Sequence, residues 1–307
     1  MKLQAIRYFI AVVDAGGLRA ATKTLPISQS TLTVALRQLE DELGAPLLHR
    51  SKRGVIPTQF GRAFLEHARI IDRESRKARE KVAQLRGHWE GSVSYATSPA
   101  ISLSIVPPAI RAFRKRFPAI QLRCIDGMYP STLSALRDGL LDFAIGPCNT
   151  EDLDDLFVSE PLRPADPVII CRRDHPLRAA RALAELQDCE WAIFGNAAGG
   201  GIIEQAFSDA GLGGVKIGMI CESFMALPGI VALTDMLGVL PRQVLDDTRW
   251  REQLATVQTQ PPLPAPQVSV LRRTDIPLTP AATELLGWIR HFANQPQREG
   301  DAGPTAG

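Results

Sequence analysis

The spacing of apolar residues changes near residue 91 of this 307-residue chain, and that change restricts the folds it can adopt. Before residue 91, apolar residues mostly recur every third or fourth position, which is typical of amphipathic helices. After it, short strand-like runs alternate with helical stretches, a pattern typical of sheets with crossover helices. Since 307 residues also exceed one ordinary hydrophobic core, we expect a helical N-terminal domain and a larger α/β body.

Three helices are predicted at the N-terminus. The first ends at Gly16-Gly17, and the second extends from Leu18 to about Thr24. The third lies in the sequence ISQSTLTVALRQLEDEL, residues 27–43, where Ser28 can cap the first turn and Gly44 can end the helix. Four leucines of the third helix share one stripe that packs inward: Leu32, Leu36, Leu39 and Leu43.

The entrance of the third helix is rich in small polar side chains, which indicates a helix-turn-helix that enters the major groove of DNA. Gln29 can pair with adenine, and Arg37 with guanine or a phosphate. A plain three-helix domain with a solvated polar face is the alternative. The predicted DNA-contacting residues of this helix are Ser28, Gln29, Ser30, Thr31, Thr33, Val34 and Arg37.

A basic hairpin follows the third helix. Two apolar pairs, residues 47–48 and 55–56, flank a tip that contains Arg50, Lys52 and Arg53, which we predict to contact phosphates. Residues 1–90 carry 16 Lys and Arg against 9 Asp and Glu, whereas the rest carries 19 against 24. The first third is therefore expected to meet a polyanion, with chance scatter of charge as the alternative.

A long helix with a heptad seam is predicted from Gln59. The seam is interrupted only by Ser75, and its charged flanks indicate a solvated outer face. Such a seam needs a partner, either a second copy of the helix or the C-terminal body of the same chain. The predicted dimerisation residues are Phe64, Ala68, Ile71, Ala78, Val82 and Leu85.

The body is predicted to form two α/β lobes with parallel sheets. Lobe I comprises residues 91–162 and 267–295, and lobe II comprises residues 163–266. Ligands of such folds bind in the cleft, at the carboxyl ends of strands. We therefore expect domains at 1–58 (DNA-binding), 59–90 (linker helix) and 91–295 (effector-binding), with a disordered polar tail at 296–307.

Residues 3–65 resemble the winged helix-turn-helix of LysR-type transcriptional regulators. The resemblance depends on Phe9, Ala20-Ala21, Ile27-Ser28-Gln29, Leu32, Arg37-Gln38-Leu39-Glu40, Glu42-Leu43-Gly44, Pro46-Leu47, Arg50 and Thr58 with Gly61. Ser30, Val34 and Leu48 depart from residues usual in the family, and Val34 leaves the target sequence open because it cannot hydrogen-bond a base. A weaker resemblance extends to about residue 293 through FPAIQL, LRDGLLDFAIGP and RDHPL.

The resemblance implies a fold and partners. It implies a two-lobed, periplasmic-binding-protein-like α/β effector domain, double-stranded DNA and RNA polymerase as partners, and antiparallel linker helices in a homodimer that assembles into a homotetramer. The segments TSPAI, DGMYP, CESFMALPG and TPAA are most similar to regulators of aromatic sulfonate and aromatic acid degradation. An aromatic sulfonate or carboxylate is therefore the expected effector.

The resemblance also suggests which residues meet the effector. They follow predicted strands on one side of the cleft, and Tyr129, Phe194 and Phe224 could flank an aromatic ring. Loop hydroxyls and core aromatics are the alternative for each of them. The predicted effector-binding residues are Thr97, Ser98, Pro99, Ala100, Met128, Tyr129, Pro130, Pro147, Cys148, Phe194, Asn196, Glu222, Ser223 and Phe224.

Other classes of function find little support. The five histidines lie in no catalytic motif, which argues against an enzyme. Five scattered cysteines without a C-x-x-C pair indicate a reduced cytoplasmic protein without a metal site. No cofactor, signal peptide or membrane span is predicted. The run GNAAGGGI lacks the lysine of a phosphate-binding loop and is expected to be a flexible loop at a lobe edge.

Overall fold

The computed structural model describes residues 1–51, 54–127, 129–148, 153–195 and 201–295, apart from the side chains at positions 50 and 51. By their internal contacts these residues form two compact units. Unit 1 comprises residues 1–91 with 137–140, and unit 2 comprises residues 92–136 with the described chain after residue 140.

Unit 1 is built from four helices and a hairpin in the described chain. Their bounds are α1 Leu3–Asp14, α2 Leu18–Ala21, α3 Gln29–Leu43, β1 Leu48–Ser51, β2 Gly54–Pro57 and α4 Gln59–Leu85. The predicted caps of α3 are confirmed: Ser28 Oγ accepts from the Thr31 N–H at 3.1 Å, and Gly44 adopts a left-handed φ of 67°. The predicted hairpin is also confirmed, because Leu48 pairs with Pro57 and Ser51 with Gly54 in an antiparallel ladder.

The core of unit 1 extends into the first turns of α4. Ala68 is fully buried, and the Phe64 ring lies 5.3 Å from the Phe9 ring of α1. These two side chains therefore pack inside unit 1, unlike the rest of the predicted dimerisation seam. Leu43, predicted on the inward stripe of α3, is 41% exposed, because it lies on the last turn beyond the core. The helix stops at Leu85 rather than at residue 90, since Gly87 takes a left-handed φ of 88°.

Unit 2 contains two five-stranded sheets in its described part, of order β4-β3-β5-β12-β6 and β11-β7-β10-β8-β9. The strands are β3 Gly91–Thr97, β4 Ile120–Asp126, β5 Phe143–Pro147, β6 Phe157–Pro164, β7 Pro167–Arg172, β8 Glu190–Phe194, β9 Lys216–Cys221, β10 Leu237–Pro241, β11 Leu254–Val257 and β12 Gln267–Arg273. The helices are α5 Pro99–Ser104, α6 Val106–Arg116, α7 Thr132–Arg137, α8 Ile202–Asp209, α9 Leu227–Leu233, α10 Thr248–Gln253 and α11 Pro280–Ala293.

The prediction of purely parallel sheets is wrong. Strands β3 and β5 are parallel, as are β8 with β9 and β10, but β12 runs antiparallel to β5 and β6, and β7 runs antiparallel to β10 and β11. The antiparallel strands arise from the chain crossings. After β6 the chain leaves its sheet for β7 in the other sheet, and it later crosses back to the first sheet as β12. The chain thus crosses twice between the sheets, near residues 165 and 266. No helix of the described chain is long and apolar enough to span a bilayer.

Candidate functional site

The hydroxyls at the entrance of α3 are largely engaged within the helix. Ser28 Oγ lies 2.8 Å from Ser30 Oγ and 2.9 Å from Thr31 Oγ1. Thr33 Oγ1 donates to the Gln29 carbonyl at 2.8 Å. This network stabilises the first turn, and the side chains of Ser28, Ser30 and Thr31 remain exposed at its surface.

The three remaining predicted contact residues of α3 are exposed and have no internal partner among the described residues. Gln29 and Arg37 project into solvent, and Val34 between them is 56% exposed. An amide, a guanidinium and an apolar contact on one helix face are the groups that read base edges in a major groove. Leu32, Leu36 and Leu39, on the opposite face, are buried and hold α3 against the core.

One carboxylate fixes the hairpin to α3. Glu40 Oε1 accepts from the Leu47 N–H at 2.7 Å and from the Leu48 N–H at 3.1 Å. At the other strand, the Val55 N–H donates to the Gly16 carbonyl at 2.9 Å. The hairpin is therefore a wing with a set position beside α3. Its basic tip, Lys52 and Arg53 together with the side chain of Arg50, lies outside the described residues.

Unit 2 holds a cavity of about 380 Å³ where strand ends of both sheets meet the two chain crossings. Six predicted effector residues line it: Ser98, Pro99, Ala100, Pro147, Phe194 and Phe224. Six others do not: Thr97, Tyr129, Pro130, Cys148, Glu222 and Ser223. Tyr129 and Cys148 instead line a separate cavity of about 10 Å³, large enough for a single water, and Pro147 borders both cavities. Met128 and Asn196 lie outside the described residues.

Two adjacent hydroxyls after β3 have different environments. Thr97 is fully buried, and its Oγ1 hydrogen-bonds the hydroxyl of Ser102. Ser98 is only 4% exposed and lines the cavity, yet its Oγ has no hydrogen-bond partner among the described residues. A buried hydroxyl without a partner is unfavourable by about 1–3 kcal/mol. A polar ligand atom in the cavity would satisfy it.

Aromatic and aliphatic side chains form most of the cavity wall. The Phe194 and Phe224 rings meet edge to face, with centroids 5.3 Å apart at an angle of 83°. Ile101, Ile193 and Ile202 add apolar surface. Prolines 164, 167 and 266 stand at the two chain crossings and line the cavity as well. The cavity therefore suits a compact ligand with a flat or apolar body.

Charged residues of the cavity lining were missed by the sequence analysis. Arg163 and Asp166 flank the first crossing, and Glu204 lies in the first turn of α8. Asp166 forms an ion pair with Arg242 at 2.8 Å. Arg163 was missed because β6 contains two prolines and does not alternate clearly. Glu204 was missed because it follows the glycine-rich run predicted as a loop at a lobe edge, whose last glycine, Gly201, in fact lines the cavity.

The cysteine thiols show no sign of a nucleophilic or redox site. Burial raises the pKa of Cys171 to about 11, and burial also raises the pKa of Cys124, Cys148 and Cys189. These thiols stay protonated at neutral pH and are poor nucleophiles. The described residues also contain no group of His, Cys, Asp and Glu side chains that could hold a metal ion.

A winged helix-turn-helix followed by a two-lobed α/β unit with an apolar cavity defines an effector-binding transcriptional regulator. Residues 3–62 match the description "Bacterial regulatory helix-turn-helix protein, lysR family", and residues 86–294 match "LysR substrate binding domain". The chain belongs to the LysR family of transcriptional regulators, and it is not an enzyme.

Two relatives are similar to most of the chain. The SDS degradation transcriptional activation protein of Pseudomonas sp. (strain ATCC 19151) is 30% identical over 292 residues, which cover 94% of this chain and 95% of that protein. The HTH-type transcriptional regulator BudR of Raoultella terrigena is 34% identical over 230 residues, or 73% of this chain and 78% of that protein.

Solved structures show the same fold. The crystal structure of CbnR, a LysR family transcriptional regulator, superimposes with a TM-score of 0.67 at 22% identity and covers 96% of this chain and all 100% of that one. Full-length CbnR complexed with its target DNA gives a TM-score of 0.68, also at 22% identity, over 95% of this chain and 100% of that one.

Proposed function

We propose that this regulator binds a two-fold DNA site as a homodimer and that an aromatic sulfonate or carboxylate in the cavity of unit 2 modulates transcription of a catabolic operon by RNA polymerase. The observation that carries the effector proposal is the buried, unpartnered Ser98 hydroxyl on an apolar cavity wall. A ligand with an acidic group for that hydroxyl and a ring for the Phe194–Phe224 wall matches both features.

One positively charged side chain in the cavity lining supports an acidic effector, although Glu204 adds a negative charge elsewhere in the lining. Arg163 contributes a positive charge to the lining, and the charge of Asp166 is offset by its ion pair with Arg242. The Pseudomonas relative bears a name that connects it with the degradation of SDS, which is itself an organic anion. Ligand binding alters DNA affinity or bending only to the extent that it favours one arrangement of the subunits over another.

Replacing Ser98 by alanine is expected to weaken binding of benzoate and benzenesulfonate about tenfold or more, because a hydrogen bond to a charged group contributes about 1.5–3 kcal/mol. DNA affinity without ligand should not change. Isothermal titration of the purified full-length protein measures the first quantity and a gel-shift titration the second.

The matched control is Ser104→Ala. Ser104 also lines the cavity, but its Oγ already donates to the Ala100 carbonyl at 2.7 Å. Equal ligand affinity of the Ser98 and Ser104 variants would show that the Ser98 hydroxyl does not meet the effector. If no aromatic acid changed the DNA affinity of the protein, the result would instead favour an effector-independent nucleoid protein.

Replacing Gln29 by alanine is expected to reduce discrimination between operator and random DNA by about 1–3 kcal/mol, because a bidentate amide–adenine pair is lost. The duplex just upstream of the reading frame is the first operator to try, titrated across a salt series. Gln38→Ala on the same helix, with an exposed amide beyond the entrance, is the control. Equal losses of affinity for specific and random DNA would show that Gln29 does not read a base.

The exposed end of the α4 seam supports the homodimer. Ile71 is 39% exposed, Val82 58% and Leu85 71%, whereas Phe64 and Ala68 pack within unit 1. Apolar side chains in one row of a solvated helix are expected to pair with the same row of a second copy. We further propose that two dimers assemble into a homotetramer. We also propose that the DNA-binding domain ends at residue 58 and the linker at residue 90, as the sequence predicts.

A further inference from the structure

Glu204 places a negative charge on the wall of the cavity. Its Oε2 accepts from the Gly201 N–H at 2.9 Å, which caps the first turn of α8. Its Oε1 has no hydrogen-bond partner, and no cation pairs with the carboxylate among the described residues. One carboxylate oxygen is thus available to accept a hydrogen bond from a ligand.

Ser98 and Glu204 reach the cavity from different lobes. Ser98 follows β3, in the sheet that also contains β5 and β12. Glu204 lies on α8, whose Ile203 and Phe207 pack in the core beneath β8 with Trp191. The cavity therefore offers a hydroxyl donor from one lobe and a carboxylate acceptor from the other, and most of its other lining residues are apolar.

These two groups demand different ligand chemistry. An anionic ligand group is repelled by Glu204, so the acid must lie toward Ser98 and Arg163. A simple aromatic acid would make no hydrogen bond to the free oxygen of the Glu204 carboxylate. A ring hydroxyl or amino group opposite the acid would donate to Glu204, and a hydrogen bond to a charged acceptor is stronger than a neutral one.

We propose that Glu204 determines ligand specificity, and that the effector is an aromatic acid carrying a hydrogen-bond donor on the ring opposite its acidic group. This inference rests on the proposed function, since it assumes an aromatic acid in the cavity. It narrows the ligand class to hydroxy- or amino-substituted aromatic acids and excludes aromatic diacids.

Isothermal titration of the full-length protein with benzoate, 4-hydroxybenzoate, 4-aminobenzoate and terephthalate tests the inference. We expect both donor-bearing acids to bind about tenfold or more tightly than benzoate, with terephthalate weakest. Glu204→Gln should bring the four affinities within about threefold of one another, chiefly by improving terephthalate. The glutamine side chain can still accept from the Gly201 N–H, so the cap of α8 is retained.

Glu252→Gln is the control, since Glu252 lies exposed on α10 and does not line the cavity. An unchanged midpoint of thermal unfolding for both variants confirms that the fold is intact. Equal affinity of wild-type protein for benzoate and 4-hydroxybenzoate, or an unchanged affinity order in Glu204→Gln, would overturn the inference and leave the proposed function standing. Failure of all four acids to bind would overturn the proposed aromatic effector and the inference with it.

Discussion

Replacing Val82 and Leu85 together by aspartate is expected to make the protein monomeric and to lower its affinity for a two-fold operator by about a hundredfold or more. Both side chains are more than half exposed on the last turns of α4, so the substitutions should leave unit 1 folded. In a helix pair they would place unpaired carboxylates in an apolar seam, where a buried charge is unfavourable by several kcal/mol. Sedimentation and operator titration measure the two effects.

The control for this variant is Arg76→Asp, a charge reversal on the same helix. Arg76 lies outside the seam and is 58% exposed, so its replacement should leave the dimer intact. It separates the effect of the apolar row from that of negative charge on α4. A double variant that stays dimeric with normal operator affinity would place the dimer contact elsewhere on the chain.

Replacing Gly61 by alanine is expected to destabilise unit 1 by about 3 kcal/mol or more. A Cβ atom at this position would lie 2.0 Å from the Leu47 carbonyl oxygen and 3.2 Å from Pro57 Cβ. The carbonyl cannot move away easily, because it accepts from the Thr58 N–H at 2.9 Å. The variant must therefore separate the start of α4 from the hairpin, and DNA affinity falls with it.

Urea unfolding followed by circular dichroism measures this loss of stability. The unfolding transition of unit 1 is expected to shift to lower urea concentration. The matched control is Gly287→Ala in the middle of α11, where an added Cβ meets nothing within 4 Å. Alanine there should be neutral or stabilise the helix by about 0.5–1 kcal/mol. Equal stability of Gly61→Ala and the wild-type protein would contradict the close approach of α4 to the hairpin.

The DNA-binding unit was more predictable from the sequence than the cavity, and the reason is physical. The caps at Ser28 and Gly44 and the stripe from Leu32 depend on neighbours within one helix, so spacing alone reveals them. The cavity is assembled from loops and strand ends far apart in the chain. Arg163 and Glu204 reach it through β6 and α8, whose positions depend on tertiary packing that no local pattern encodes.

The same difference between local patterns and tertiary packing explains why both sheets contain parallel and antiparallel strands. Alternating strands and helices predict parallel neighbours correctly for β3 with β5 and for β8 with β9. The antiparallel members, such as β6 and β12, join their sheet only because the chain crosses between lobes and returns. Thr97 shows the limit for single residues: adjacent to Ser98, it turns its hydroxyl to Ser102 instead of the cavity. Alternation along a strand predicts that neighbouring side chains face opposite sides, but it does not predict which of them faces the cavity.

The two hydrogen bonds that Glu40 accepts from the backbone of the hairpin have a consequence for the operators this protein can recognise. Glu40 holds α3 and the wing in a fixed arrangement within unit 1. In the proposed homodimer, each half-site of the operator would therefore meet a DNA-binding surface of constant shape, and the dimer could adapt to DNA only by changing the separation of its two DNA-binding units. Inserting half a helical turn between half-sites, about five base pairs, would therefore be more harmful than exchanging the bases of the spacer.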